Sequence, residues 1–145
     1  MLARGMYYEN RSTEDQYKNL DGSVPRYLNK LRTARDDRRH LRLGDLVEMW
    51  DRQSGRCAIT GIEMTCRAEQ GSVFPYNVSI DRIIPKFKGG TYALDNIQLV
   101  CKIANEIKGH YPGVDAKDAI RSFATKVVQG LEHQAGTSNL PPDCS

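Results

Sequence analysis

The sequence is poor in the side chains that hold structural zinc. It contains four cysteines and three histidines among 145 residues. No two cysteines have the C-x-x-C spacing, because Thr60 and Ala104 stand where the second cysteine after Cys57 and after Cys101 would be. A structural zinc ion normally needs four thiolate or imidazole ligands. We therefore expect no structural zinc.

Long apolar segments are also missing. Charged residues interrupt the first 20 positions, so we expect neither a signal peptide nor a membrane-spanning segment. The hydrophobic content of 39% and the charged content of 27% are ordinary for a soluble globular protein. These features predict a cytoplasmic protein that has no membrane partner.

The positive charge is concentrated in one segment. The net charge is only +3, yet residues 25–42 contain seven basic side chains against Asp36 and Asp37. Pro25 in a first turn and Ser23 as N-cap predict a helix here. Spacings of three, four and three would put four arginines on one face: Arg32, Arg35, Arg39 and Arg42. Such a run fits either a solvated face or a stripe that binds phosphates.

The most informative segment runs from Val78 to Pro85 and reads V-S-I-D-R-I-I-P. Asn96 follows, and then Asn105 opens the sequence N-E-I-K. These residues resemble the core of the HNH endonuclease family, a ββα fold. Asp-His-x-x-Pro at a strand end, a loop Asn and a helical Asn or His hold one divalent metal there. The resemblance covers about residues 46–110 and includes Gly-Arg-Cys-Ala-Ile-Thr-Gly at 55–61, Gly89-Gly90, and Leu-Val-Cys at 99–101.

The resemblance implies a role for each matched residue. Asp81 and Asn105 would hold Mg²⁺ or Mn²⁺, since such ions prefer oxygen ligands and accept a substrate phosphate as another. Asn96 would fix the loop between strand and helix. Basic residues near the site would contact DNA phosphates: Lys86, Lys88, Lys102 and Lys108. Beside this motif, phosphate binding becomes the favoured interpretation of the arginine stripe.

Arg82 departs from the family pattern, which has a general-base histidine at this position. A guanidinium stays protonated and cannot accept a proton from water. The other roles open to Arg82 are a clamp on a phosphate oxygen, which we favour, or none in a degenerate site. His110 is the nearest alternative base in the sequence, although a regular helix would turn it away from Asn105. The resemblance also places Cys57 near Cys101, so we expect two buried, reduced thiols.

The resemblance, together with the pattern of elements, implies an α+β protein with a small ββα-metal core, a two-stranded hairpin and helix flanked by additional helices. We expect strands at residues 57–62 and 78–84 and a helix at 45–53. A core-facing stripe predicts the helix of Asn105: Val100, Ile103, Ala104 and Ile107. A last helix after Asp115 should bury Ala116, Ile120, Phe123 and Val127 and end at Gly130.

The corresponding organisation has five parts. Residues 1–24 form an N-terminal extension, 25–44 the basic helical segment, 45–112 the nuclease core, 113–130 the C-terminal helix and 131–145 a flexible tail. The expected activity is metal-dependent cleavage or nicking of double-stranded DNA. The alternatives are a degenerate domain that only binds nucleic acid and an RNA-directed or toxin-like nuclease. The resemblance also suggests a phage or mobile-element source, while target sequence, oligomeric state and protein partners stay open.

Overall fold

The computed structural model describes residues 23–67 and 74–136. The predictions for residues 1–22 and for the tail from 137 onward lie outside these residues. The described part is a mixed α+β structure with four α-helices and one two-stranded antiparallel sheet. The chain divides into two units, Met1–Asn105 and Glu106–Ser145, and each is described by itself.

The described part of the first unit begins with two helices. Helix α1 spans Ser23–Thr33 and helix α2 spans Leu43–Arg52. Their buried residues recur at helical spacing, among them Val24, Tyr27 and Leu28 in α1 and Leu46, Val47 and Met49 in α2. The two helices contact each other through these apolar faces.

The prediction of one basic helix over residues 25–44 is wrong. Helix α1 ends at Thr33, and Arg35 has an extended backbone with φ −135° and ψ 135°. Arg35 pairs with Asp37 at 3.0 Å and Arg39 with Asp36 at 3.1 Å. Arg32 donates to the carbonyl oxygen of Leu41 at 3.3 Å. These bonds fold the segment back, so the four arginines do not share a helical face.

The sheet is a hairpin of β1, Val78–Arg82, and β2, Ile97–Cys101. Val78 pairs with Cys101 and Arg82 with Ile97. Helix α3 follows β2 directly and spans Lys102–Gly109. The described order is therefore strand, strand, helix.

The predicted strand at residues 57–62 is wrong, and its place in the sheet is taken by β2. Residues 57–62 form a tight turn, in which the Cys57 amide donates to Ile62 at 2.8 Å and Gly61 to Cys57 at 2.9 Å. Gly61 has φ 74°, a conformation that suits glycine and interrupts a strand. The core-facing stripe predicted for the helix of Asn105 is also wrong in part. Val100 lies in β2 and Ile103 is 37% exposed, whereas Ala104 is buried as predicted.

Asn77, directly before β1, is a buried polar residue that is 2% exposed. Its side chain accepts from the Thr65 hydroxyl at 2.6 Å and from the Arg67 amide at 3.0 Å. It donates to the Arg67 carbonyl at 2.6 Å and to the Tyr27 hydroxyl at 3.3 Å. This network links α1 to the start of the hairpin.

The second unit contains helix α4, Ala116–Gly136. Asp115 caps it by accepting from the amides of Lys117 at 3.0 Å and Asp118 at 3.2 Å. The predicted end at Gly130 is wrong, since good helix formers follow that glycine. The predicted buried stripe is also wrong in part: Phe123 and Val127 are 43% and 41% exposed. Among the described residues, no helix is long and apolar enough to cross a membrane.

Candidate functional site

Asp81 lies one residue before the end of β1 and is 6% exposed. Its partner across the hairpin is Gln98, whose side-chain amide donates to Asp81 Oδ2 at 3.0 Å. This bond holds the carboxylate in one orientation. Gln98 was not predicted from the sequence, because it can be recognised only once the strand register is known.

Asn105 lies on α3, and its side-chain amide nitrogen is 3.5 Å from the Ser79 hydroxyl oxygen. Ser79 and Asp81 are two residues apart in β1, so both side chains are on the same face of the hairpin. Asn105 therefore contacts Ser79, the neighbour of Asp81 on this face of β1. Ser79 was also missed, although the alternation of strand side chains was a signal that could have identified it.

This arrangement has suitable donors for a hard divalent cation. The contact with Ser79 uses the nitrogen of Asn105, which leaves its carbonyl oxygen for another partner. One carboxylate and one amide oxygen are typical protein ligands of Mg²⁺, which otherwise keeps water or phosphate oxygens. The donor types thus suit the predicted ion, and Asp81 and Asn105 would be its ligands.

Asn96 fixes the loop that joins β1 to β2. Its side-chain oxygen accepts from the Ile84 amide at 2.8 Å, and its nitrogen donates to Ile84 O at 3.1 Å and Thr91 O at 2.8 Å. Gly90 packs against the same strand end, where an added Cβ would lie 1.6 Å from Ile84 O. These contacts agree with the structural role predicted for Asn96, and they show why position 90 is a glycine.

Arg82 packs against Tyr92. The guanidinium carbon of Arg82 is 4.5 Å from the Tyr92 ring centroid, and that of Arg38 is 4.7 Å away. Arg38 also donates to the Tyr92 hydroxyl at 3.0 Å. Because neighbouring strand residues project to opposite faces, Arg82 leaves the hairpin on the other side from Asp81.

The histidines fall in different places. His110 is exposed and lies in the second unit, where its amide ends helix α3 by donating to Ile107 O at 3.1 Å. Lys108 belongs to the same unit. His40, whose position the sequence did not predict, lies in the first unit with Nε2 2.7 Å from the Tyr92 carbonyl oxygen.

The remaining predicted DNA contacts form two groups. Lys86, Lys88 and Lys102 are exposed. Three arginines after α1 are also exposed: Arg35, Arg39 and Arg42. Arg35 forms an ion pair with Asp37, and Arg39 forms one with Asp36. The predicted contacts in the described residues therefore lie on a loop, at the first residue of α3 and on an irregular segment, and no single helical stripe carries them.

Cys57 and Cys101 are buried and reduced, and they contact each other, as the sequence predicts. Burial raises the pKa of Cys101, and the neighbouring Cys57 raises it further. Burial acts on Cys57 in the same direction, but hydrogen bonds from the Thr60 hydroxyl and from backbone amides outweigh it and lower the pKa of Cys57.

Comparison with known proteins returns no match: no protein family, no curated protein and no solved structure is similar to this chain. The resemblance to HNH endonucleases therefore rests on the residues named above and on their arrangement.

Proposed function

We propose that the protein is a divalent-metal-dependent endonuclease that cleaves or nicks double-stranded DNA through an HNH-like site. The observation that carries this proposal is the placement of Asp81 and Asn105. Asp81 is a buried carboxylate on β1, and the helical amide of Asn105 contacts Ser79, the neighbour of Asp81 on the same face, in a strand, strand, helix arrangement. Mg²⁺ or Mn²⁺ fits the donors.

Each side chain has a distinct task in this proposal. Asp81 and Asn105 would bind the ion, which would polarise the phosphodiester and stabilise charge on the leaving oxygen. Gln98 keeps the Asp81 carboxylate in place through its 3.0 Å hydrogen bond. Asn96 holds the loop at the strand end through three hydrogen bonds. The exposed Lys86 and Lys102 would neutralise phosphates of the bound strand.

A second candidate is a catalytically degenerate domain that binds DNA without cutting it. The contact between Arg82 and Tyr92 favours this candidate, because the position expected to hold the general base carries a cation packed on an aromatic ring. Loss of a general base typically lowers the rate by a factor of about 10² to 10⁴. A nuclease slowed by this factor would therefore still cleave DNA at a measurable metal-dependent rate, whereas a protein that only binds DNA would not cleave it.

A plasmid-nicking assay distinguishes the two. Purified protein is incubated with supercoiled plasmid in Mg²⁺, in Mn²⁺ and in EDTA, and the same series is run with Asp81→Asn. A nuclease relaxes the plasmid with metal only, and Asp81→Asn abolishes this relaxation. Asp95→Asn, an exposed carboxylate in the loop before β2, serves as the matched control and should nick normally. Binding without metal-dependent relaxation would establish the second candidate instead.

A further inference from the structure

The loop after β1 carries three exposed apolar side chains, which we call the apolar knob: Ile83, Ile84 and Phe87. They are 50%, 52% and 65% exposed. Among the exposed large hydrophobic residues in the described part of the chain, Phe87 has the highest exposed fraction. Exposed apolar side chains that share one short loop commonly mark a binding site.

The loop that presents the knob is held in one conformation. A short 3-10 turn spans Lys86–Lys88, with the Lys88 and Gly90 amides both donating to Pro85 O at 3.0 Å. Gly89 closes the turn in the left-handed conformation with φ 85°. Asn96 ties Ile84 on both its amide and its carbonyl. The loop is therefore already ordered in the free protein, so little further conformational entropy is lost when Phe87 binds a partner.

The charge around the knob has one sign. Lys86 and Lys88 flank Phe87, and the Lys88 ammonium is 5.7 Å from its ring centroid. Residues 82–94 contain no aspartate or glutamate. An aromatic tip between two cations complements a duplex, which offers stacked bases between two rows of phosphates.

We propose that Phe87 and Ile84 form a wedge that inserts between base pairs of double-stranded DNA, while Lys86 and Lys88 bind the flanking phosphates. The proposal deepens the proposed function and rests on it for the nucleic-acid partner. Asp81 lies only six positions before Phe87, at the strand end from which the loop starts. The wedge thus opens the duplex beside the site of cleavage. Pyrimidine–purine steps unstack most easily, so these steps are the preferred insertion points.

The experiment measures unstacking separately from cleavage. Asp81→Asn protein is titrated into a short duplex with 2-aminopurine at a central pyrimidine–purine step, and both fluorescence and anisotropy are recorded. Insertion raises the fluorescence of the unstacked base. Adding Phe87→Ala should remove this increase and weaken binding about tenfold, whereas Phe87→Trp should restore both. Lys86→Gln with Lys88→Gln should lower the salt dependence of binding by roughly two counterions.

Phe123→Ala is the matched control, since Phe123 is also an exposed phenylalanine and lies on α4. It should change neither signal. Unchanged fluorescence and affinity in Phe87→Ala would overturn the wedge, as would Phe87-dependent binding to anionic phospholipid vesicles without binding to the duplex. Cleavage is scored separately in the nicking assay. A wedge signal without nicking would therefore refute the nuclease alone, and nicking without a wedge signal would refute the wedge alone.

Discussion

The guanidinium of Arg82 lies over the ring of Tyr92, with 4.5 Å between the guanidinium carbon and the ring centroid. Tyr92 is 5% exposed and belongs to the loop between the two strands. The contact therefore fastens that loop to the end of β1. Arg82 has a structural role in addition to any part that it takes in catalysis.

Replacing Arg82 by alanine should lower the free energy of unfolding by about 1 kcal/mol, because a cation packed on a partly desolvated ring contributes roughly that much. Urea denaturation monitored by circular dichroism measures the change. Arg35→Ala is the control: its guanidinium is 5.6 Å from the same ring and is exposed, so the loss should be smaller. If both variants lost the same free energy of unfolding, the contact of Arg82 with Tyr92 would contribute no more to stability than the longer contact of Arg35.

Replacing Arg82 by histidine should leave the rate of metal-dependent nicking close to that of the wild type, because Arg82 packs on Tyr92 and leaves the hairpin on the face opposite Asp81. An imidazole accepts a proton from water at neutral pH, whereas guanidinium does not, so a histidine that did reach the Asp81 site would raise the rate by a factor of ~10² to 10⁴. The rate is measured with supercoiled plasmid under single-turnover conditions. Arg82→Gln, which adds no base, is the comparison. A slower Arg82→His enzyme would instead support the phosphate clamp.

Asn96→Ala should destabilise the protein by about 1–2 kcal/mol, since it deletes three hydrogen bonds at a partly exposed position. Thermal or urea denaturation gives the value. Asp95→Ala, one residue earlier and exposed, should have little effect. A variant that unfolds no more easily than the wild type would show that the loop does not depend on Asn96.

Gly90→Ala and Gly130→Ala should shift stability in opposite directions. At Gly90 the new Cβ would lie 1.6 Å from a backbone oxygen, so the loop must move at a cost of roughly 3 kcal/mol. At Gly130 no atom lies within 4 Å and the residue is inside α4. Alanine there should stabilise the helix by about 0.5–1 kcal/mol. Urea denaturation of both variants measures the two changes in the free energy of unfolding. An unchanged free energy of unfolding in Gly90→Ala would contradict the close approach of position 90 to the Ile84 carbonyl oxygen.

Thr60→Cys combined with Ala104→Cys should create a zinc site. Cys57 accepts hydrogen bonds from Thr60, Cys101 accepts one from the Ala104 amide, and the two thiols contact each other, so the four residues are neighbours. Metal analysis should find one zinc per chain in the double variant and none in the wild type. Free zinc at 100 times the Kd would raise the free energy of unfolding of the double variant by about 2.7 kcal/mol. This increase would be measured as a higher Tm. Thr60→Ser with Ala104→Ser is the control, and a double cysteine variant without zinc would refute this geometry.

Local signals in the sequence predicted part of the fold. The prediction of a helix at residues 45–53 agrees with Leu43–Arg52, because that segment has strong apolar periodicity. The strand predicted at 78–84 agrees with Val78–Arg82, and Asp115 caps the last helix as expected. Each of these features depends on neighbours within a few positions.

Features that depend on distant residues were not predicted. The partner of β1 is residues 97–101, not 57–62, and only tertiary pairing decides between two apolar segments of similar length. The arginine segment looked helical until its bonds to Asp36, Asp37 and the Leu41 carbonyl were known. At the candidate site, the motif singled out Asp81 and Asn105, whose role as ligands stays a prediction, whereas Ser79, Gln98 and Tyr92 required the register and the loop.

The hydrogen bond from Asn77 to Tyr27 sets a lower limit on the size of an autonomous fragment. A piece cut to the motif, beginning near residue 46, would leave the Asn77 amide without the Tyr27 hydroxyl. It would also leave α2 without the buried Leu28 of the preceding helix. The unit that folds cooperatively is therefore larger than the segment that carries the chemistry, and grafting this site onto another scaffold would require helix α1 as well.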